Sequence, residues 1–189
     1  MDRYSRSIYL SLFILIGLTV TLLAAAATIA FPVDLDSRIT RAQGEVKYGL
    51  PRQTPAVIDD DEFGPLKLRV GEFVQVAPSG MATVMFFNGG FAVLNGPASL
   101  LLRESSRKAT AWDHVRRSRG PEVEYALTIE QTAGTIDYYF DNADPALERV
   151  AVRIHLPNEV YIPTASCWQI KIDAAGQAST QTISCSSPR

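Results

Sequence analysis

The sequence predicts a mainly β protein, an antiparallel sandwich or roll of short strands that is preceded by one N-terminal transmembrane helix. Two observations predict this fold class. The first is a long uncharged apolar stretch near the N-terminus. The second is a series of short segments in which apolar and polar residues alternate, separated by Gly, Pro and Asn. After residue 31, no stretch keeps a helical periodicity for three turns, which favours an all-β domain.

The composition excludes several classes of protein. The chain has 189 residues, of which 47% are hydrophobic and 20% charged, with a net charge of −2. A disordered chain would have fewer apolar residues and a larger charge imbalance. A general nucleic-acid-binding protein would carry an excess of basic residues. We therefore expect a folded chain without a nucleic-acid partner.

The apolar stretch begins at Ser7, ends at Phe31 and contains no charged residue. A bilayer core about 30 Å thick requires about 20 apolar residues in a helix. Arg3 and Arg6 precede the stretch and Asp34 follows it, so the positive-inside rule places the N-terminus in the cytoplasm. The sequence thus predicts a cytoplasmic tail (1–6), a membrane anchor (7–31) and one extracytoplasmic domain (32–189). A cleaved signal peptide is the alternative, but its apolar region is normally shorter, about 7–15 residues.

The sequence of the domain predicts strands in several segments. In residues 150–156 and 168–172, every second residue is a large apolar one, which gives each segment one apolar face. Residues 81–87 are apolar on both sides, which predicts a central strand, and Asn88-Gly89-Gly90 predicts a hairpin turn after it. Further strands are predicted at residues 91–94, 100–102, 126–129 and 135–140.

The two cysteines flank a predicted hairpin whose turn is residues 173–177. Pairing about residue 176 would place Cys167 opposite Cys185, on the polar face that carries Gln169 and Lys171. A disulfide is favoured outside the cytoplasm, and two unpaired thiols are the alternative. No histidine lies at ligand spacing from either cysteine, so no metal site is predicted.

The order of these strands and turns resembles that of the FecR domain. Residues 39–48 are similar to its opening strand, and residues 66–104 are similar to its central block. Within that block, the turn and motif positions that are characteristic of the family are occupied by Gly71-Glu72, Ser79, Asn88-Gly89 and Gly96-Pro97. Residues 127–140 and 152–172 resemble the next elements, although Ala165-Ser166 stands where the family usually has Gly-Thr.

The resemblance implies a membrane-anchored extracytoplasmic module that is not an enzyme and that binds or signals at the cell envelope. In the best-known members, a cytoplasmic half binds a sigma factor. The six residues before the apolar stretch cannot hold a sigma factor, so we expect none as a partner of this chain. We expect an envelope protein or a glycan as partner, and no cofactor.

A cluster of basic residues suggests a surface for an anionic partner. It consists of Arg103, Arg107, Lys108, Arg116, Arg117 and Arg119, with Trp112 among them. Arginine beside an exposed aromatic ring is a common contact pair. The alternative is a solvated insertion between strands, which is the usual state of such clusters.

The remaining motifs are weak. The acidic run 59–62 could recruit Ca²⁺, but it lacks the spaced ligands of a dedicated loop and favours a solvated turn. Neither His114 nor His155 belongs to a recognisable catalytic motif, so a hydrolase is the least favoured hypothesis. The alternative function is a secreted carbohydrate-binding sandwich that uses aromatic platforms, namely Trp112, Tyr138, Tyr139 and Trp168.

Overall fold

The computed structural model describes residues 3–28, 31–58, 65–109, 124–140 and 150–185. The chain divides into two compact units. One contains Met1–Val33 and Lys108–Val123, and the other contains Asp34–Arg107 and Glu124–Arg189. The described part is mainly β, as the alternating segments predict.

The N-terminal helix, α1, extends over Arg3–Thr28 and has 26 residues. The side chains described in it, those of residues 12–26, are exposed on every side, and Phe13 and Leu23 are 81% and 70% exposed. Within the described ranges, no helix has the length and apolarity that crossing a membrane requires. The predicted helix is therefore confirmed, whereas the transmembrane part of that prediction is not supported.

The strands that follow have these bounds: β1 Phe31–Asp34, β2 Ser37–Gln43, β3 Val46–Gly49, β4 Ala56–Ile58, β5 Leu66–Leu68, β6 Phe73–Val76, β7 Met81–Met85, β8 Phe91–Ala109, β9 Glu124–Tyr139, β10 Val150–His155, β11 Val160–Tyr161, β12 Cys167–Ile172 and β13 Ala178–Thr182. The central position expected for residues 81–87 is confirmed for β7, which pairs with β2 on one side and with β8 on the other. The predicted turn follows β7, where Phe86 and Gly90 are joined by a backbone hydrogen bond of 2.8 Å.

Two long strands connect the sheet. Strand β8 pairs with β7 up to Asn95 and with β6 from Ala98 onward, so it changes partner at Gly96-Pro97. Strand β9 likewise pairs with β10 up to Glu130 and with β12 from Gly134 onward. Each long strand replaces two short strands that the sequence predicts, because Gly96 and Gly134 allow a bend without ending the strand.

The bends of β8 and β9 fit closely together. Gly134 has φ +80°, and a Cβ atom there would overlap the carbonyl oxygen of Pro97. A Cβ atom on Gly96 would overlap the carbonyl oxygen of Ala77. Glycine is therefore required at both positions by space, and at Gly134 also by the left-handed backbone conformation.

One pairing corrects the expectation of an antiparallel sheet. Strand β10 runs parallel to β9, with Val150 opposite Tyr125 and His155 opposite Glu130. The other pairs of described register are antiparallel. The alternation of apolar residues fixes which face of a strand is buried but not the direction of its neighbour, so the sequence pattern could not distinguish the two.

The strands around β7 and the two long strands share the main core. Its residues include Ile39 on β2, Val84 on β7, Leu94 and Leu100 on β8, and Leu127 on β9. An aromatic stack extends this core, because the ring of Trp168 lies 5.6 Å from that of Tyr138 and 5.2 Å from that of Phe140. The core therefore holds β7, β8, β9 and β12 as one rigid support.

Candidate functional site

The candidate site lies on the side of β2, β7 and β8 that points away from the core. We call this surface the outer face; it consists of Arg38, Arg41, Met81, Thr83, Met85, Phe91, Val93 and Asn95. Cross-strand pairs order it in rows: Arg41 lies opposite Thr83, which lies opposite Val93. In the next row, Arg38 lies opposite Met85, which lies opposite Phe91.

An open groove of about 270 Å³ lies on the outer face. Its lining is mainly apolar, with two hydroxyl groups and one guanidinium group, and consists of Thr40, Arg41, Met81, Thr83, Met85, Phe91 and Val93. Among the described residues that line it, none carries a carboxylate, an imidazole or a thiol. The groove can therefore bind a ligand that has an apolar group next to a negatively charged one.

A β-bulge positions the guanidinium group. Ile39 pairs with Val84 and Arg41 pairs with Thr83, so Thr40 is an extra residue in β2. Ile39 and Ala42 are both fully buried although they are three residues apart. Without the bulge, strict alternation would turn Arg41 toward the core and Ala42 outward. The extra residue therefore places Arg41 at the edge of the groove, and the Thr40 hydroxyl donates a long hydrogen bond (3.4 Å) to the Thr83 carbonyl.

The floor of the groove is supported by a second apolar cluster. Val93, Tyr139 and Cys167 are buried there, and Phe91 stacks on Tyr139 with ring centroids 4.8 Å apart. Met81 and Cys185 pack against the same cluster. Two of the groove's apolar walls, Met81 and Phe91, are thus held from behind by β9, β12 and the chain segment after β13.

Cys167 and Cys185 form a disulfide whose Cα atoms are 5.4 Å apart. The hairpin β12–β13 pairs Trp168 with Thr182, so Cys167 faces Ile183 rather than Cys185. The expected pairing about residue 176 is therefore wrong by one position in the turn. The expected polar face is also corrected at this point, because Val93 and Tyr139 cover Cys167 and leave it 1% exposed.

Positive charge dominates the β2 side of the outer face. Arg38 and Lys67, on the neighbouring strand β5, share the single carboxylate of Asp36. The hydrogen bond from Lys67, supported by the charges of Lys67 and Arg38, holds the pKa of the Asp36 carboxyl below its usual value. Arg41 has no ion-pair partner among the described residues. The edge of the groove next to β2 therefore keeps a net positive charge.

On the opposite side the outer face continues into a ladder of polar side chains. The Asn95 amide donates to one oxygen of Asp137 at 3.2 Å, and the Gln169 amide donates to the other at 2.6 Å. The Gln181 amide donates to the Gln169 carbonyl at 2.7 Å. Both oxygens of Asp137 therefore have local donors, and Asp137 does not belong to the lining of the groove, whose charged group is Arg41.

Three of the four aromatic residues proposed as sugar platforms lie in the interior. Tyr138 is fully buried, and Tyr139 and Trp168 are 7% and 2% exposed. Their apolar rings fill the core instead of lying on the surface, so they cannot stack on a sugar in the folded protein. The fourth, Trp112, lies outside the described residues.

The basic cluster is described only in part. Arg103 forms an ion pair with Glu130 across β8 and β9. Arg107 is half-buried, and its Nε has no hydrogen-bond partner in the described part of the chain; Lys108 is exposed. Arg116, Arg117 and Arg119 lie outside the described residues. The anionic-partner surface at this cluster stays a prediction.

The other candidate residues lie apart from the groove. His155 is exposed on β10, as the strand pattern predicts, while His114 and the acidic run 59–62 lie outside the described residues. Among the described residues, no group of three His, Cys, Asp or Glu side chains could hold a metal ion. The described residues thus bring no acid, base and nucleophile together at the groove.

Sequence patterns alone missed Arg41 and its groove. The signal that could have revealed Arg41 is the spacing of Ile39 and Ala42, since two buried residues three apart in a strand require a bulge. Met81 and Met85 were expected only as part of a central strand, and Met85 is 43% exposed. No known protein family, curated protein or solved structure matches this chain.

Proposed function

We propose that this protein is an exported, non-enzymatic β module of the FecR-like kind, which binds a partner at the cell envelope through the groove on its outer face. The observation that carries the proposal is an apolar groove on a rigid sheet with an unpaired arginine at its edge. Exposed apolar side chains beside a free charge are typical of binding surfaces.

Two further observations support the compartment and the fold type. Structural disulfides persist outside the cytoplasm, and Cys167–Cys185 ties the last hairpin to the support of the groove. Each segment that carries the resemblance to the FecR domain also contains strands, from β2 near the start to β12 near the end. An antiparallel sandwich or roll remains the proposed type, with the parallel pair β9–β10 as a departure from it.

Photocrosslinking in living cells tests the binding proposal. A benzoyl-phenylalanine residue replaces Met85 at the groove, and the matched control replaces Val160, which is similarly exposed on the distant strand β11. We expect adducts with an envelope component from position 85 and not from position 160, and we expect Arg41→Glu to remove them. Adducts with cytoplasmic proteins alone, or equal adducts from both positions, would contradict the proposal.

Localisation is tested separately. Single-pass membrane localisation, with the domain outside the cytoplasm, stays a prediction from the sequence. Alkaline phosphatase fused after residue 189 is active only when exported, so we expect activity from the whole chain and none when residues 7–31 are deleted. The mass of the mature protein then distinguishes an anchor from a cleaved signal peptide, and an inactive whole-chain fusion would refute export.

A further inference from the structure

We infer that the groove on the outer face recognises a segment of a partner protein that presents an aromatic side chain next to a carboxylate. This inference rests on the proposed function and specifies its partner. The expected occupant is a peptide segment. Three properties of the groove support it: its size, its lining and its charge.

The size of the groove fits one anchoring side chain. Its volume is about 270 Å³. A cavity of about 150 Å³ holds a benzene ring, whereas pockets for whole drug-sized ligands begin at about 300 Å³. A groove of this size therefore accepts a single ring with its connecting atoms, which is how a protein segment inserts an anchor residue into a partner.

The lining favours an aromatic ring. Met81 and Met85 lie at either end of β7, and their unbranched thioether side chains adapt to an inserted group and make favourable contacts with ring edges. Phe91 offers a ring that is fixed by its stack on Tyr139. Offset or edge-to-face contacts between aromatic rings add to the energy of apolar burial.

The charge favours an acid next to that ring. Arg41 reaches the groove edge because of the bulge at Thr40, and no carboxylate among the described residues pairs with it. Arg38 and Lys67 share only one carboxylate, so the same edge carries additional positive charge. A carboxylate beside the inserted ring would therefore gain a charge-assisted hydrogen bond that a neutral segment lacks.

The chain offers a direct spectroscopic test, because it contains only three methionines. Labelling their methyl groups with ¹³C gives two signals at the groove, Met81 and Met85, and one internal control, Met1. The whole chain is titrated with N-acetyl-phenylalanine, which has a ring and a carboxylate. Three further compounds are titrated in parallel: N-acetyl-phenylalaninamide, which is neutral, and the anions acetate and decanoate.

We expect Met81 and Met85 to shift while Met1 does not, and we expect the acid to bind about two to five times more tightly than the amide. Arg41→Gln should remove this difference and leave binding of the amide unchanged. The matched control, Arg153→Gln at an exposed position of β10, should leave both affinities unchanged.

Three outcomes would overturn the inference: equal affinities for the acid and the amide in the native chain, no shift at Met81 and Met85 with either ring compound, or tighter binding of decanoate. The last would assign the groove to an acyl ligand instead. If the titration gives one of these outcomes but position 85 still forms specific crosslinks, the proposed function stands and only the aromatic–acid partner is refuted. Loss of both would remove the groove as a binding site.

Discussion

The phenol of Tyr138 donates a 3.1 Å hydrogen bond to the side-chain oxygen of Gln131, and both side chains are fully buried. The amide group of Gln131 donates in turn to the carbonyl oxygens of Gly134, at 2.9 Å, and Ile170, at 3.1 Å. Gln131 therefore joins the two halves of β9 at its bend and connects them to β12. This polar contact lies within the apolar core, where an unsatisfied group is costly.

Removal of the Tyr138 hydroxyl should destabilise the domain. In Tyr138→Phe the buried Gln131 oxygen loses its donor, so we expect the free energy of unfolding to fall by about 1–3 kcal/mol in urea denaturation. The control is Tyr161→Phe, which removes a hydroxyl from a half-buried ring that contacts Trp168. Equal losses in the two variants would show that the contact with Gln131 contributes nothing specific.

The same phenol should make stability sensitive to alkaline pH. Burial raises the pKa of Tyr138 above its ordinary value. The unfolded chain loses this proton near pH 10, while the native state keeps it, so the free energy of unfolding falls as pH rises above about 10 and is unaffected below. Denaturation from about pH 8 to about pH 11 should give a steeper decline for the native chain than for Tyr138→Phe. Parallel curves would refute this.

Two glycines with similar backbone angles should respond differently to alanine. Gly134 has φ +80° and would place a Cβ atom on the Pro97 backbone, whereas Gly176 has φ +76° and open space around it. Gly176→Ala should cost about 1–2 kcal/mol for the left-handed conformation alone. Gly134→Ala should cost more than Gly176→Ala because the backbones of β8 and β9 must separate. Thermal unfolding measures both, and similar losses would mean that the two strands lie farther apart.

Reduction of the disulfide should weaken the whole domain. Cys167 and Cys185 are separated by 18 residues, and a loop of about that length stabilises by about 3 kcal/mol when closed. We expect dithiothreitol to lower the free energy of unfolding of the native chain by about this amount. The double variant Cys167→Ala/Cys185→Ala is the control, which should not respond to the reagent. A native chain that is equally insensitive would contradict the prediction.

The sequence predicted strands well where burial alternates. Trp168, Ile170 and Ile172 are buried on β12 as the pattern predicts, and the turn after Ile172 is closed by a hydrogen bond from the Asp173 amide to the Gln177 carbonyl. Such features depend on neighbours in the chain, so local patterns contain them. The pairing of Cys167 with Cys185 is local in the same sense, since one hairpin brings both residues together.

The features that escaped prediction depend on distant residues. Gly134 was expected to enter a strand and instead lies at the bend of a longer one, because Pro97 on β8 packs against it. The groove forms only where β2, β7 and β8 meet with Phe91 stacked on Tyr139, and no local pattern records that contact. Arg41 is the exception, since its bulge leaves a trace in the spacing of neighbouring buried residues.

The hydroxyl of Ser105 on β8 donates to the carbonyl of Leu35, which lies 70 residues earlier in the chain. Many contacts of the sheet have comparably long separations, such as the 42 residues between Asn95 and Asp137. Chains dominated by distant pairings fold in milliseconds to seconds rather than microseconds, because large loops must close before any contact forms. A newly made chain would therefore keep unpaired strand edges exposed until the β12–β13 hairpin had been synthesised. During this interval, a chaperone would protect those edges from aggregation.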